Sequence, residues 1–393
     1  MTSRGRTWVY LDWNATTPPL PEVLGAMQAA AAAAWANPAS VHGPGRRARA
    51  EIERAREALA ALLDAPFEAR DLVFTSGGTE ANNLALHHAF PEGAPGALVT
   101  SRLEHPSVVR AAEALAARGV TVAWASPEPT GQVTPEAVVE AMDRAGREAP
   151  VRLVSLQAVN HETGVIQPVA AVAELAHARG ALLHVDAIQA VGRLPPAAWS
   201  GADLVSVAAH KIRGPKGIGA LASRPGILLR PLLMGGAQER GLRPGTQDAA
   251  AAAGFGVAVE RAWEGGPARY ARLEPLRDRL EVELIRVGGR FGPTPIRNGE
   301  GARAPHVTNL SFPGLRGDEL CAALDLEGVA VSSGSACSAG TAEPSPVLLA
   351  MLGAPRASSA VRASLGEEST EAEVMMAIAC FERVLARGAP RAR

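Results

Sequence analysis

Short apolar runs recur from residue 72 to residue 222, and stretches with helical spacing separate them. The runs are Leu72–Thr75, Ala97–Thr100, Val120–Ala125, Val151–Val159, Ala181–Val185, Leu204–Val207 and Ile218–Ala222. Thr79–Ala89, Ser107–Arg118 and Val169–Arg179 have a helical pattern, and Thr134-Pro-Glu136 opens another helix with a Thr cap and Pro at its first position. Apolar strands alternating with helices predict an α/β fold around a mostly parallel seven-stranded sheet covered on both faces. Ahead of this region lie a strand-like Trp8–Leu11 and two helices, Pro21–Ala36 and Ala48–Ala65.

After a helix beginning near Asp248 the pattern changes. A helix over Leu276–Val287 leads through a Gly-rich connection to a strand over His306–Phe312 and a helix over Asp318–Glu327. Short strands follow at Val329–Val331 and Val361–Leu365, and Thr370-Glu-Ala-Glu373 is a capping box opening the last helix. The expected division is a large domain over 21–255 and a smaller α+β domain over 256–393. The segment 1–20 is expected to pack with the small domain.

Charge and composition narrow the function class. A formal net charge of -1 with mixed signs offers no electrostatic footprint for nucleic acid or membrane. No apolar run approaches the ~18 residues of a membrane span, and no hydrophobic leader follows Met1, so a cytoplasmic location is expected. Three widely spaced cysteines, Cys321, Cys337 and Cys380, form neither a disulfide framework nor a metal cluster. Of 39 Lys plus Arg, all but Lys211 and Lys216 are arginine. Arg stays protonated, whereas a buried Lys can deprotonate and form a Schiff base. Lys216 reads as a surface cation. Lys211, carried out of an apolar strand into a Gly-rich turn, reads as a Schiff-base lysine.

Ligands of open parallel sheets bind beyond the carboxyl ends of the strands. The polar groups falling there are Ser76-Gly-Gly-Thr-Glu80, Glu104-His105, Asn160-His-Glu-Thr-Gly164, Asp186-Ala-Ile-Gln189 and His210-Lys211. Gly77, Gly78 and Thr79 would open a helix whose free N–H groups suit an anion, although an ordinary turn is as good a reading of that stretch alone. Asp186 at the end of an apolar strand calls for a cation, and a protonated pyridine nitrogen is one. Phosphate, pyridinium, Schiff base and a flat ring to stack against together describe pyridoxal 5'-phosphate. Cys337, on the small polar loop Val331–Ala342, is placed to be a mobile nucleophile, whereas Cys321 and Cys380 sit in apolar helical patterns.

These residues resemble the group I cysteine desulfurases, of NifS/IscS type, within the class V aminotransferases of pyridoxal-phosphate fold type I. The resemblance runs from Tyr10-Leu-Asp12 to Ser364-Leu-Gly366. It is most specific at Thr75–Glu80, Val185–Gln189, His210–Gly217, Gln238–Thr246 and Ser332–Cys337. It implies Lys211 as the Schiff-base lysine, Asp186 on the ring nitrogen, His105 stacked on the ring and Gln189 on the phenolic oxygen. Gly78, Thr79 and His210 would hold the phosphate, with Thr246 reaching it from the second subunit of a homodimer. Asn160 and Arg362 would receive the carboxylate of L-cysteine. Cys337 would take the sulfur as a persulfide and pass it to an acceptor such as an iron–sulfur scaffold or a thiolation carrier. No resident metal is expected, and Cys337 alone is a candidate for transient iron–sulfur ligation. Ala208 departs from the family, which usually has Ser three residues before the lysine. Competing readings are an aminotransferase or selenocysteine lyase on the same fold, which a substrate panel separates, or a non-catalytic scaffold, which would not take up the cofactor.

Overall fold

A computed structural model describes residues 2–3, 6–334 and 344–388. All seven expected strands form one sheet, in the order 72–75, 219–223, 204–208, 182–186, 151–157, 97–101, 121–125. Gly219–Ser223 runs antiparallel to both its neighbours, and the remaining pairs are parallel. Successive side chains of a strand point to opposite faces. Leu72, Phe74, Val205, Val207, Ala220 and Ala222 therefore enter one core, and Val73, Leu204 and Leu221 enter another on the reverse face. Burial on both faces explains why these strands read as continuous apolar runs.

A third core joins Val9 and Leu11 to the helices Glu274–Phe291 and Glu371–Gly388 and to the antiparallel sheet 296–297, 307–311, 360–364. The N-terminal segment reaches it by parallel pairing of Val9–Tyr10 with Val329–Ala330. Two features cut across a division at 255/256. The helix Ala249–Trp263 runs through it, with Phe255, Ala258 and Val259 in the large core. Val347, Leu348 and Met351 belong to that same core despite their late position in the chain.

Beyond Leu11 the chain continues as a strap, residues 12–17, laid over the carboxyl ends of the central strands. Ser364 N–H donates to the Leu11 carbonyl at 2.8 Å, and Thr17 N–H donates to the His210 carbonyl at 3.1 Å. The strap closes one side of the cavity described next.

Candidate active site

A cavity of about 200 Å³ opens where the strand ends meet the strap. Lys211, His210, Asp186 and His105 line it, as do Gln189, Gly78, Thr79 and Arg362. Lys211 lies in the turn Ala209–Lys211 that follows the strand Leu204–Ala208, and its Nζ donates to the carbonyls of Asn14 and Ala15, the latter at 2.8 Å. Asp186, the last residue of its strand, accepts from Asn82 Nδ2 at 2.8 Å and from the Ile188 N–H at 3.1 Å.

His105 caps the helix Pro106–Ala117, its Nδ1 accepting from the Ser107 N–H at 3.1 Å. That contact leaves Nδ1 unprotonated. Its ring meets His161 edge-on at 5.3 Å. Burial lowers the pKa of His105 and pushes His161 well below the ordinary histidine value. Burial, with Lys211 adjacent, pushes His210 down to about 3. The pocket thus presents neutral imidazoles at physiological pH.

Between the strand Leu72–Thr75 and the helix Gly78–Ala89 the backbone is exposed to the cavity. Gly77 has φ +151°, and no side chain caps the helix. A Cβ on Gly78 would come within 2.1 Å of Ile188 Cδ1, and one on Gly219 within 2.7 Å of the Gly77 carbonyl carbon. Close packing of this turn against Ile188 and the strand Gly219–Ser223 therefore requires these glycines.

Arg362, on the strand Ala360–Ser364, is 2% exposed. It donates from Nη2 to Asp12 at 2.6 Å and from Nη1 to the His161 carbonyl at 3.1 Å, while its Nε has no partner. Two expected residues lie off the cavity lining. Asn160 is fully buried, its Oδ1 accepting from the N–H groups of Glu162 and Thr163 and its Nδ2 donating to the Leu103 carbonyl at 3.0 Å. Thr246 is exposed on a loop beyond Gly245. Cys337 lies outside the described residues. Sequence reasoning passed over Asn82 and Asn14. Asn82 stands one helical turn after Thr79, so a helix-face reading would have found it. Asn14 meets Lys211 through its main-chain carbonyl, which carries no such signal.

The aminotransferase class-V family model matches residues 9–376. The chain belongs to the class V aminotransferases, on their cysteine desulfurase branch. A cysteine desulfurase of Bradyrhizobium diazoefficiens is 38% identical over 388 residues, spanning 98% of this chain and 96% of that protein. A solved NifS-like protein superposes with a TM-score of 0.87 at 32% identity, covering 97% of this chain and 100% of its own. A structure described as SspA in complex with cysteine matches at a TM-score of 0.77 and 30% identity, covering 93% and 100%.

Enzymes of this family depend on pyridoxal 5'-phosphate, and the desulfurase is one of them. Its cavity fits that group. A helix N-terminus without a side-chain cap, a buried carboxylate and a primary amine converge on one space. Among the described residues no helix is long and apolar enough to cross a membrane, and no cluster of three or more His, Cys, Asp or Glu is placed to hold a metal.

Proposed function

We propose that this enzyme converts L-cysteine to L-alanine by leaving the sulfur on Cys337 as a persulfide, and that an acceptor protein collects it. The observation carrying the residue assignments is the convergence of the Lys211 amine, the Asp186 carboxylate and the uncapped helix at Gly78 on one cavity. Asp186 would hold the ring nitrogen, Gln189 the phenolic oxygen and His105 the ring face. Gly78, Thr79 and His210 would hold the phosphate. When bound, the cofactor supplies an electron sink for the substrate's Cα.

Lys211 Nζ takes and returns the proton at the substrate Cα, and the Asn14 and Ala15 carbonyls orient that amine. The unpartnered Nε of Arg362 suits the substrate carboxylate. Asn160 would have to release bonds it makes here to do the same. Cys337 thiolate attacks the substrate sulfur. The Cβ–S bond breaks, an S–S bond forms and Cβ gains a proton, so cysteine and the enzyme thiol give alanine and a persulfide with no outside oxidant. Freeing that sulfur as sulfide takes two electrons, which added thiols supply by becoming a disulfide; an acceptor thiol instead takes it over as its own persulfide.

The exposed Thr246 supports a homodimer in which this residue completes the phosphate site of a second copy. The acceptor class, an iron–sulfur scaffold or a thiolation carrier, and a cytoplasmic location complete the reading. So does a small C-terminal domain that carries the Cys337 loop.

The test is a comparison of the purified enzyme with Cys337→Ala. Both are expected to show the visible absorption of bound cofactor, and only the first to yield equimolar alanine and sulfide from cysteine with dithiothreitol. Full-rate alanine and sulfide release by the variant would overturn the nucleophile assignment.

A further inference from the structure

Arg193 heads the fully buried side chains by volume at 1% exposure, yet it lies off the cavity lining. The chain is brought close there by Gly192, φ +74°, where a Cβ would sit 2.9 Å from Ile212 Cγ2. From Nη1 the guanidinium donates to Gln189 Oε1 and, at 3.1 Å, to Asn14 Oδ1. From Nη2 it donates to the Lys211 carbonyl at 2.9 Å. Its carbon lies 5.4 Å from the centroid of the Tyr270 ring.

His306 Nε2 approaches Asn14 Oδ1 at 2.9 Å and Arg193 Nη1 at 3.3 Å. Asn14 Nδ2 already donates to the His161 carbonyl, so its oxygen is the acceptor, and His306 must carry its proton on Nε2. An imidazole is neutral or positive in either protonation state, so His306 cannot balance the arginine. Among the described residues Arg193 forms no ion pair with a carboxylate, and its Nε has no partner. A buried guanidinium held by neutral oxygens alone is costly. Away from the cavity its partners Tyr270 and His306 also face Glu367, which is paired with Arg269, and the cations Arg213 and Arg277, while Lys211, His210, Asp186, His105 and Arg362 line the cavity side.

We propose that Arg193 is a positioning residue that fixes Gln189, the Asn14 side chain and the Lys211 backbone as one unit, and that its positive charge, which no carboxylate pairs among the described residues, is answered by the anionic cofactor. The inference rests on the assignment of Gln189 and Lys211 to that cofactor. A fork with several donors is needed to hold three acceptors at once. The charge has a separate consequence. A cation behind Gln189 disfavours protonation of the linkage between Lys211 and the cofactor, so removing it raises the pH at which that linkage titrates.

The experiment follows the visible absorption of the holoenzyme across pH in Arg193→Met, Arg193→Gln and Arg193→Lys. The neutral variants are expected to move the midpoint upward by about one pH unit, the size of a near-charge effect. Arg193→Lys is expected to keep the midpoint and to lose cofactor faster, because it retains the charge without the fork. A folded neutral variant with the original midpoint overturns the proposal, and so does a lysine variant that shifts as far as the neutral ones. If neither neutral variant folds, the residue is structural and the proposal falls. Lys211→Ala separates the underlying assignment, since a pH-sensitive band that survives there refutes the role of Lys211 rather than that of Arg193.

Discussion

On the sheet side of the cavity, Asp186, Lys211 and His105 project from or just beyond strand ends, whereas on the strap side Asn14 and Ala15 contribute main-chain carbonyls. The sheet wall is chemically specific, because each of its groups has a charge or a proton to give. The strap wall is geometrically specific, because almost any residue owns a carbonyl and the fold decides where it points. Reactivity is concentrated on the first wall and orientation on the second. Substitutions on the sheet wall should abolish chemistry, and those on the strap wall should degrade stability and rate together.

The largest effect is expected on the sheet wall. If Lys211 is both the anchoring amine and the proton carrier, as proposed, Lys211→Ala should lower steady-state alanine production more than about 10³-fold. Circular dichroism should remain that of the native fold, because the Asn14 and Ala15 carbonyls that Lys211 meets belong to a strap tied independently to Ser364 and His210. A variant within tenfold of the original rate would break the contrast between the walls.

Asn14→Ala tests the strap. The carbonyl that receives Lys211 Nζ is kept, but the side chain that ties His161, His306 and Arg193 together is lost. Leaving buried donors unpaired should cost ~1–3 kcal/mol in denaturant unfolding, with a rate loss of order tenfold. A loss as deep as that of Lys211→Ala would mean the strap is itself part of the chemistry.

The same contrast separates what was legible in the amino-acid pattern from what was not. Seven strands could be read because burial on both faces makes Leu72–Thr75 or Leu204–Val207 continuously apolar. Lys211, Asp186 and His105 could be read because a polar group just past such a strand stands out, and the family resemblance then supplied their roles. Asn14 could not, since a carbonyl is common to every residue. Nor could the bonds that occupy Asn160, which depend on the turn through Thr163. The break at 255/256 followed a change of local pattern. Packing ignores that change, because the helix Ala249–Trp263 has its apolar face on the large core.

Acidification should act on the sheet side through histidines buried neutral. His184 shares hydrogen bonds with Ser155 and Ser206, each at 2.9 Å, and burial pushes its pKa down to about 3. An unfolded histidine titrates near ~6.5, so between that value and about 3 the unfolded chain binds a proton the folded chain refuses. Stability from this residue is complete above ~6.5 and declines as pH falls, by ~2 kcal/mol at pH ~5. His161 and His306 are shifted in the same direction by burial and add to the decline. Glu104 opposes it, since burial raises its carboxyl well above the usual range. Urea unfolding should therefore give lower stability at pH ~5 than at ~7.5, and His184→Asn should flatten that dependence. An unchanged slope in the variant would remove His184 from the account.

The smallest expected effect is a gain. Ala208 lines the cavity beside Gly78 and Thr79, and it is 2% exposed at the end of its strand. It offers no donor to an anion resting on the adjoining helix N-terminus. Ala208→Ser adds one hydroxyl there, and a hydrogen bond to a phosphate oxygen should contribute ~1 kcal/mol, or about fivefold slower cofactor loss on dilution. A Cβ on Gly78 would lie 3.5 Å from the Ala208 Cβ, so room on this side is limited and the hydroxyl must point along the cavity. Faster cofactor loss in Ala208→Ser would show that the small side chain is needed for space. The sheet wall would then be specified by shape as well as by chemistry.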